Sequence, residues 1–454
     1  MAESKTLMPM TPAVLANHNL DSLRQRFVHG VSWNLIGTVL AQGSAFAVNV
    51  IVANLLGPQS FGEFSLLQNT TLTLSAIAQV ATGVTATRYI AEYRQSDPAR
   101  AGRIIGFCSL FTFGTGLLAG LILFLLAGWL SSSTLNAPQL SDGLKIMAIY
   151  LVFSAMSGYQ TGALAGLEGY RHVARLGVIH GGIHMVCCAA GVWFLGLPGA
   201  LWGLVASLAV RWRLFHVAIR VEARLQGIEP TYSIEKAERE LLWRFSLPAA
   251  LSGLTSMPAL WLANTFVVQQ PGGYVQLGLF SAAFSLRTIV MFIPVGINNV
   301  SSSLIHNQLG VKELGTFKKT YWMNVFLTTG IAVLGATFIL TFGKYALGLF
   351  GHDFTQGAGL LPILMLAALI ESLLISLYQL VYANEEMWWS LFLVTLPKDI
   401  AIGVGAFLLV PTMGAKGLAW AYVIGWLLAL LSVFSHVWHS PKRVFPQISC
   451  AKHR

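Results

Sequence analysis

Four ionisable side chains stand where such groups are costly. Arg287 lies within the apolar run Phe280 to Val300, Glu371 near the middle of a second run, and the neighbours Lys398 and Asp399 inside a third. A charge at the centre of a bilayer costs at least roughly 2.5–3.5 kcal/mol on insertion scales, so it faces a cavity or finds a partner. Arg287 and Glu371 are expected to line a cavity, and Lys398 with Asp399 suits either a cavity or an ion pair. Arg287 shares a helical face with Asn298 about three turns on, and its planar guanidinium donors suit anionic oxygens. Uncharged polar groups extend the set. Asn34, Thr38, Gln42 and Asn49 fall on one helical face, which in lipid must turn towards another helix or a watery cavity. Asn264 follows Asn49 by 215 residues and offers a second amide. His180, His184, Cys187 and Cys188 share a face that could in principle hold zinc or copper, but one helix cannot easily close a tetrahedral site, so no metal is expected. Packing or cavity lining is the plainer role for the two histidines, with protonation of one as a coupling device. Arg88, Arg211 and Arg213 stand near the ends of apolar runs, where snorkelling to headgroups accounts for them; Arg88 is kept as an entry contact for an anion.

The elements that must carry these residues are membrane spans. Of 454 residues, 55% are hydrophobic and 10% charged, against about 25% charged in soluble domains. The apolar residues cluster in stretches of about twenty, the length that crosses hydrocarbon. About twelve spans are expected, near 32–54, 65–87, 105–127, 144–166, 177–197, 199–219, 246–268, 278–300, 321–342, 360–382, 390–410 and 415–437. Basic residues alternate between the connecting loops. Arg94, Arg171, Arg239 and Lys318 exemplify one side, which with both tails holds most of the 28 Lys and Arg, while the other has only Lys145, Lys344 and Lys416. The positive-inside rule therefore puts both termini in the cytoplasm. The net charge of +10 is spread over separate short loops, which argues against nucleic acid as a partner. No GxxxxGK[ST] pattern occurs, so ATP hydrolysis is not expected. Four cysteines without CxxC spacing argue against a disulfide framework or zinc ribbon.

The two halves echo each other. Phe61-Gly62-Glu63-Phe64-Ser65 and Leu277-Gly278-Leu279-Phe280-Ser281 stand 216 residues apart, Ser157-Gly158-Tyr159-Gln160 and Ser376-Leu377-Tyr378-Gln379 stand 219 apart, and Gly199-Ala200 and Gly414-Ala415 stand 215 apart. A near-constant step of six spans predicts an all-α membrane protein whose twelve helices form two six-helix bundles related by a pseudo-twofold axis along the membrane normal. The expected organisation is a cytoplasmic tail (1–30), a first lobe (31–219), a linker (220–245) with an amphipathic surface helix near 234–240, a second lobe (246–437) and a cytoplasmic tail (438–454).

Three stretches of the first half carry a resemblance. Leu55-Leu56-Gly57-Pro58-Gln59-Ser60-Phe61-Gly62, then Arg88-Tyr89-Ile90-Ala91-Glu92-Tyr93 with Arg103-Ile104-Ile105-Gly106, and Gly166-Leu167-Glu168-Gly169-Tyr170 resemble the Wzx-type polysaccharide biosynthesis flippases of the multidrug/oligosaccharidyl-lipid/polysaccharide exporter superfamily. The second half departs, with Asn384-Glu385-Glu386-Met387 where the first has the glycine-rich loop. The resemblance implies a V-shaped pair of bundles in a bacterial inner membrane, opening alternately to its two faces. It implies a cargo of oligosaccharide on undecaprenyl diphosphate, with membrane lipids and polysaccharide polymerase machinery as further partners, no cofactor and no enzymatic activity. Arg287, Lys398, Arg88, Asn49, Asn264 and Gln42 would then meet cargo, while Glu371, Asp399, His180 and His184 would couple to an ion or pair structurally. Two alternatives stay open. A multidrug/cation exporter of the same superfamily would favour buried carboxylates, and a membrane glycosyltransferase or polymerase would favour a sizeable outer loop; the outer acids here are the scattered Glu63, Asp142 and Asp353.

Overall fold

Hydrocarbon offers a backbone amide no water to bond, so a chain of this composition must satisfy its peptide groups within each segment, and helices result. The structure, a computed structural model, describes residues 12–79, 82–232, 256–311, 314–379 and 387–439, with no strand among them. The main helices are α1 (Pro12–Gln79), α2 (Thr82–Tyr93), α3 (Pro98–Trp129), α4 (Ser141–Gly166), α5 (Tyr170–Leu225), α6 (Ser256–Val268), α7 (Gly273–Val311), α8 (Leu314–Gly348), α9 (Leu361–Leu377), α10 (Leu396–Met413) and α11 (Ala415–His439). Nine helical segments among the described residues are long and apolar enough to cross a membrane. Two of them are interrupted, at Gly57 in α1 and Gly196 in α5. Division at these breaks, with the short apolar α6 added, agrees with the expected twelve spans. The side chains of Asn34 and Thr38, the linker helix near 234–240, the residues Asn384 to Glu386 and the outermost tails lie outside the described set.

The breaks have a local cause. Gly57 takes φ +76° immediately before Pro58, a conformation that costs glycine little and suits a residue whose α region the following proline disfavours. Gly196 takes φ +61° and ψ −137°. Around it the arms of α5 fold back so tightly that a Cβ on Gly199 would overlap the Gly191 carbonyl, and one on Gly203 would press on Cys187. Gly414, between α10 and α11, repeats the same dihedrals at φ +56° and ψ −133°, and Gly417 presses on the Leu409 carbonyl as Gly199 does on Gly191. The turn equivalent to Gly414 is thus Gly196, three residues before the expected Gly199, because the φ-positive position fixes the hairpin and the flanking Gly-Ala does not.

The 216-residue step is embodied directly. A Cβ on Gly62 would strike the Tyr274 carbonyl, and one on Gly278 would strike the Pro58 carbonyl. Residue i meets j and the equivalent of j meets the equivalent of i, which is the mark of a twofold relation, so the pseudo-axis runs through this crossing.

Gly57, Gly196 and Gly414 lie at the arginine-poor end, opposite Arg94, Arg171, Arg175, Arg220 and Arg224. That end is sealed. Phe61 of one lobe packs edge-on against Phe354 of the other at 5.7 Å, and Phe46 against Phe350 at 5.6 Å. The Tyr274 hydroxyl donates to the Leu135 carbonyl at 2.7 Å, the Gln269 amide to Thr134 at 3.1 Å and the Asn54 amide to Leu349 at 3.4 Å. Deeper in, Trp261 donates its indole N–H to the Thr70 hydroxyl at 2.8 Å. One continuous apolar core crosses between the lobes, and a second fills the arginine-rich end of the first lobe around Ile104, Leu164 and Ile219. Phe194 and Tyr345 are each 79% exposed and Phe326 is 73% exposed. Such a surface would aggregate in water and is the ordinary boundary with lipid.

Candidate functional site

Three places gather the residues that could do chemistry. The first lies on the seam between the lobes. The first arm of α1 and the middle of α7 enclose a pocket of about 370 Å³ lined by Gln42, Asn49, Ser285 and Thr288, with Phe46, Phe284 and Phe292 as apolar walls. Ser285 and Thr288 donate their hydroxyl protons to carbonyls one turn back, at 2.9 and 3.0 Å, which leaves oxygen lone pairs for a guest. The amides expected from the polar stripe of the first span therefore do reach a cavity. Asn264 does not join them. It is buried on α6, one turn from Trp261, with its Oδ1 unpartnered among the described residues. Since α6 meets the second arm of α1 much as the first arm meets α7, the two asparagines mark equivalent seams.

The second place is the interior of the second lobe, where each buried charge among the described residues has a counterion. Arg287 forms an ion pair with Glu371, and its guanidinium lies 4.9 Å from the centre of the Phe284 ring, behind the wall of the seam pocket. Lys398 pairs with its neighbour Asp399, which also accepts a 2.7 Å hydrogen bond from Ser256, and the ammonium stands over Trp426 at 5.0 Å. Arg287 and Lys398 thus enter the structure as halves of ion pairs. Asn298, on the Arg287 face of α7, accepts from Asn324 at 2.9 Å and from Gln379 at 3.0 Å, an amide knot that ties α7 to its neighbours.

The third place lies in the first lobe, towards its arginine-rich end. A groove of about 570 Å³ runs between α1, α2, α4 and α5, lined by Gln79, Thr87, Ser157, Thr161 and Arg211 and by the bare backbone of Gly83, Gly158 and Gly162. Arg211 does not snorkel as expected. Its Nη2 donates to the Thr161 hydroxyl at 3.0 Å and its guanidinium lies 4.2 Å from the centre of the Phe215 ring, because Phe215 is one turn on and Thr161 faces it from α4. Arg213, two positions on, is exposed, as a helix requires of residues about 200° apart. That spacing was the available signal that the two arginines could not share one role. His180 and His184 pack edge to face at 5.6 Å, and His180 stands close enough to Arg211 for their charges to interact. Cys188 points into the lobe core instead of joining the histidines. Arg88 lies on the exposed side of α2, with its guanidinium 5.5 Å from the centre of the Tyr89 ring.

Known proteins place this architecture. The model of the family described as "Polysaccharide biosynthesis protein" matches residues 27–293, more than half of the chain. The chain belongs to this polysaccharide biosynthesis family. Among curated relatives, the EPS I polysaccharide export inner membrane protein EpsE of Ralstonia nicotianae is 23% identical over 372 residues, covering 81% of this chain and 83% of the relative. EpsE of Ralstonia solanacearum is 23% identical over 369 residues, covering 80% and 83%. Among solved structures, an inward-facing multidrug resistance MATE family transporter of the MOP superfamily superposes with a TM-score of 0.74 at 16% identity, over 90% of this chain and 96% of that one. An outward-facing form gives 0.66 at 17% identity over 93% and 96%, and a MOP superfamily transporter from Pyrococcus furiosus gives 0.66 at 16% over 92% and 96%. These likenesses establish the fold for the family member described here: an all-α membrane transporter architecture of two six-helix bundles.

Proposed function

We propose that this chain flips oligosaccharide units linked to undecaprenyl diphosphate across a bacterial cytoplasmic membrane, for assembly of a surface polysaccharide, and that it does so by alternating access without enzymatic chemistry. The observation that carries this is the seam pocket, where amides, hydroxyls and aromatic walls meet inside a two-lobed membrane transporter fold of this family. A glycan crossing hydrocarbon loses water from its hydroxyls, and each unpaired polar group there is costly. Gln42, Asn49, Ser285 and Thr288 replace that water, while the rings cover the apolar faces of the sugars.

The positive-inside rule sets the arginine-rich end in the cytoplasm. On that reading the sealed end is periplasmic, and cargo would be admitted from the inner leaflet. Rocking about the Gly62–Gly278 crossing would part the outer contacts and close the inner ends. Paired charges in the second lobe keep its bundle rigid through that motion. A polysaccharide polymerase would take the delivered unit on the far side.

The test is reconstitution. Purified protein in liposomes carrying a fluorescent undecaprenyl-diphosphate oligosaccharide should speed the arrival of glycan at the opposite leaflet, read by a membrane-impermeant quencher. Flipping no faster than in empty liposomes, with transport of a cationic dye instead, would replace the proposal with a cation exporter.

A further inference from the structure

Among the described residues, the groove around Arg211 contains a cation without a counterion. Its Nη1 is buried and has no hydrogen-bond partner among the described residues, while Nη2 is held by Thr161. None of the groove's lining residues is acidic. Among the described residues, the charged or titratable side chains interacting with Arg211 are Tyr150 and His180, with His184 behind them, and none of these neutralises the guanidinium. The contrast with the second lobe is direct, since Arg287 and Lys398 each have a carboxylate at hand. A desolvated guanidinium is unfavourable unless an anion meets it, and here the space for one exists: about 570 Å³, flanked by the hydroxyls of Thr87, Ser157 and Thr161 and the Gln79 amide.

We infer that this groove is the anion site of the transporter and takes the phosphate or diphosphate group of its cargo, with Arg211 as the contact residue. One nitrogen of the planar Arg211 fork is already anchored on Thr161, so the guanidinium is oriented before the ligand arrives. The three glycines let α2 and α4 pack backbone to backbone, Gly162 against the Gly83 carbonyl, and so form the floor of the groove. The inference deepens the flippase proposal and rests on it only for the identity of the lipid.

The experiment measures binding of farnesyl diphosphate, a short soluble prenyl diphosphate, to the full-length protein in zwitterionic nanodiscs, with farnesol and inorganic diphosphate as comparison probes. Wild type should bind farnesyl diphosphate and not farnesol. R211Q should weaken binding by about tenfold to a hundredfold, the range for losing a charge-assisted hydrogen bond, and R211K by less. R213Q, on the exposed face, should leave it unchanged. If R211Q fails to fold, R211K and T161V, which keeps the charge but frees its anchor, read the same site with smaller losses. Inorganic diphosphate binding as tightly as the prenyl ester, and equally dependent on Arg211, would support the anion site while assigning it to the free ion. Farnesyl diphosphate binding that is unchanged in R211Q and R211K, or matched by farnesol, would overturn the site even if the protein flips glycolipid. Binding that depends on Arg211 in a protein that flips no glycolipid would instead leave the site standing and remove the flippase proposal.

Discussion

Replacing Arg287 by alanine separates two roles that this residue could have. Its side chain is 6% exposed and that of its partner Glu371 17%, so the pair counts as buried. Removing one member of a buried pair strands the other charge, at about 3–5 kcal/mol. For a unit the size of one lobe, roughly 2–4 °C of melting temperature goes with each kcal/mol, so Arg287→Ala should lower the apparent Tm on the order of 10 °C. Glu371→Ala should do nearly the same. The double variant Arg287→Met with Glu371→Leu should recover most of that loss, because an apolar pair of similar volume often matches a buried ion pair. The assay is thermostability of detergent-purified fusions by size-exclusion fluorescence, with flipping measured on those that survive. If Arg287→Ala is as stable as wild type yet does not flip cargo, or if the double variant is as unstable as either single, the structural role is refuted and the guanidinium acts on cargo.

Three further outcomes are expected. Gly62→Val and Gly278→Val should each pry apart the crossing on the pseudo-axis, lowering the yield of bifunctional-maleimide crosslinking between cysteines placed at Asn54 and Leu349; unchanged yield would show that the crossing does not hold the seal. Trp261→Phe should remove the hydrogen bond to Thr70, worth about 1 kcal/mol, and shift the balance between the two facing states about fivefold, which spin-label distance measurements across the seam would read. In a cysteine-free background, Arg171→Cys should resist an impermeant maleimide in intact cells while Lys145→Cys and Lys416→Cys react, and the reverse pattern would invert the proposed topology.

The fold was legible because its signals are long-range averages. Twenty-residue apolar runs, alternating loop charge and a six-span step each draw on many residues, and a few misaligned positions such as Gly199 do not disturb them. The site was legible only in part. The stripe of Gln42 and Asn49 could be read because a helix in lipid must turn its polar face inward, and it does reach the seam pocket. Depth alone could not say whether Arg287 and Lys398 face cargo or counterions, because Glu371 comes 84 residues after Arg287 and only packing brings them together. Arg211 was misread for the converse reason. It stands close to a span end, where snorkelling is the common outcome, and only Thr161 on another helix shows that it turns in.

Duplication makes this difference in charge informative. The 218-residue step that carries Gly196 to Gly414 and Gly199 to Gly417 also carries His180 to Lys398, so both lobes hold a nitrogen base at the same place in the repeat. In the second lobe the next residue is Asp399 and the charge is cancelled locally. In the first lobe the next residue is Gly181, and the nearby charge is Arg211 instead of an acid. Among the described residues, a scaffold that began with two equivalent halves therefore has the charge at this position neutralised locally in the second lobe and left uncompensated in the first. A neutralised lobe can rock through hydrocarbon without an anionic guest, whereas the positive lobe needs one to offset its buried guanidinium. Because cargo brings its negative charge into the first lobe, the loaded transporter would reorient more easily than the empty one, and exchange of cargo between the leaflets would run faster than net flipping.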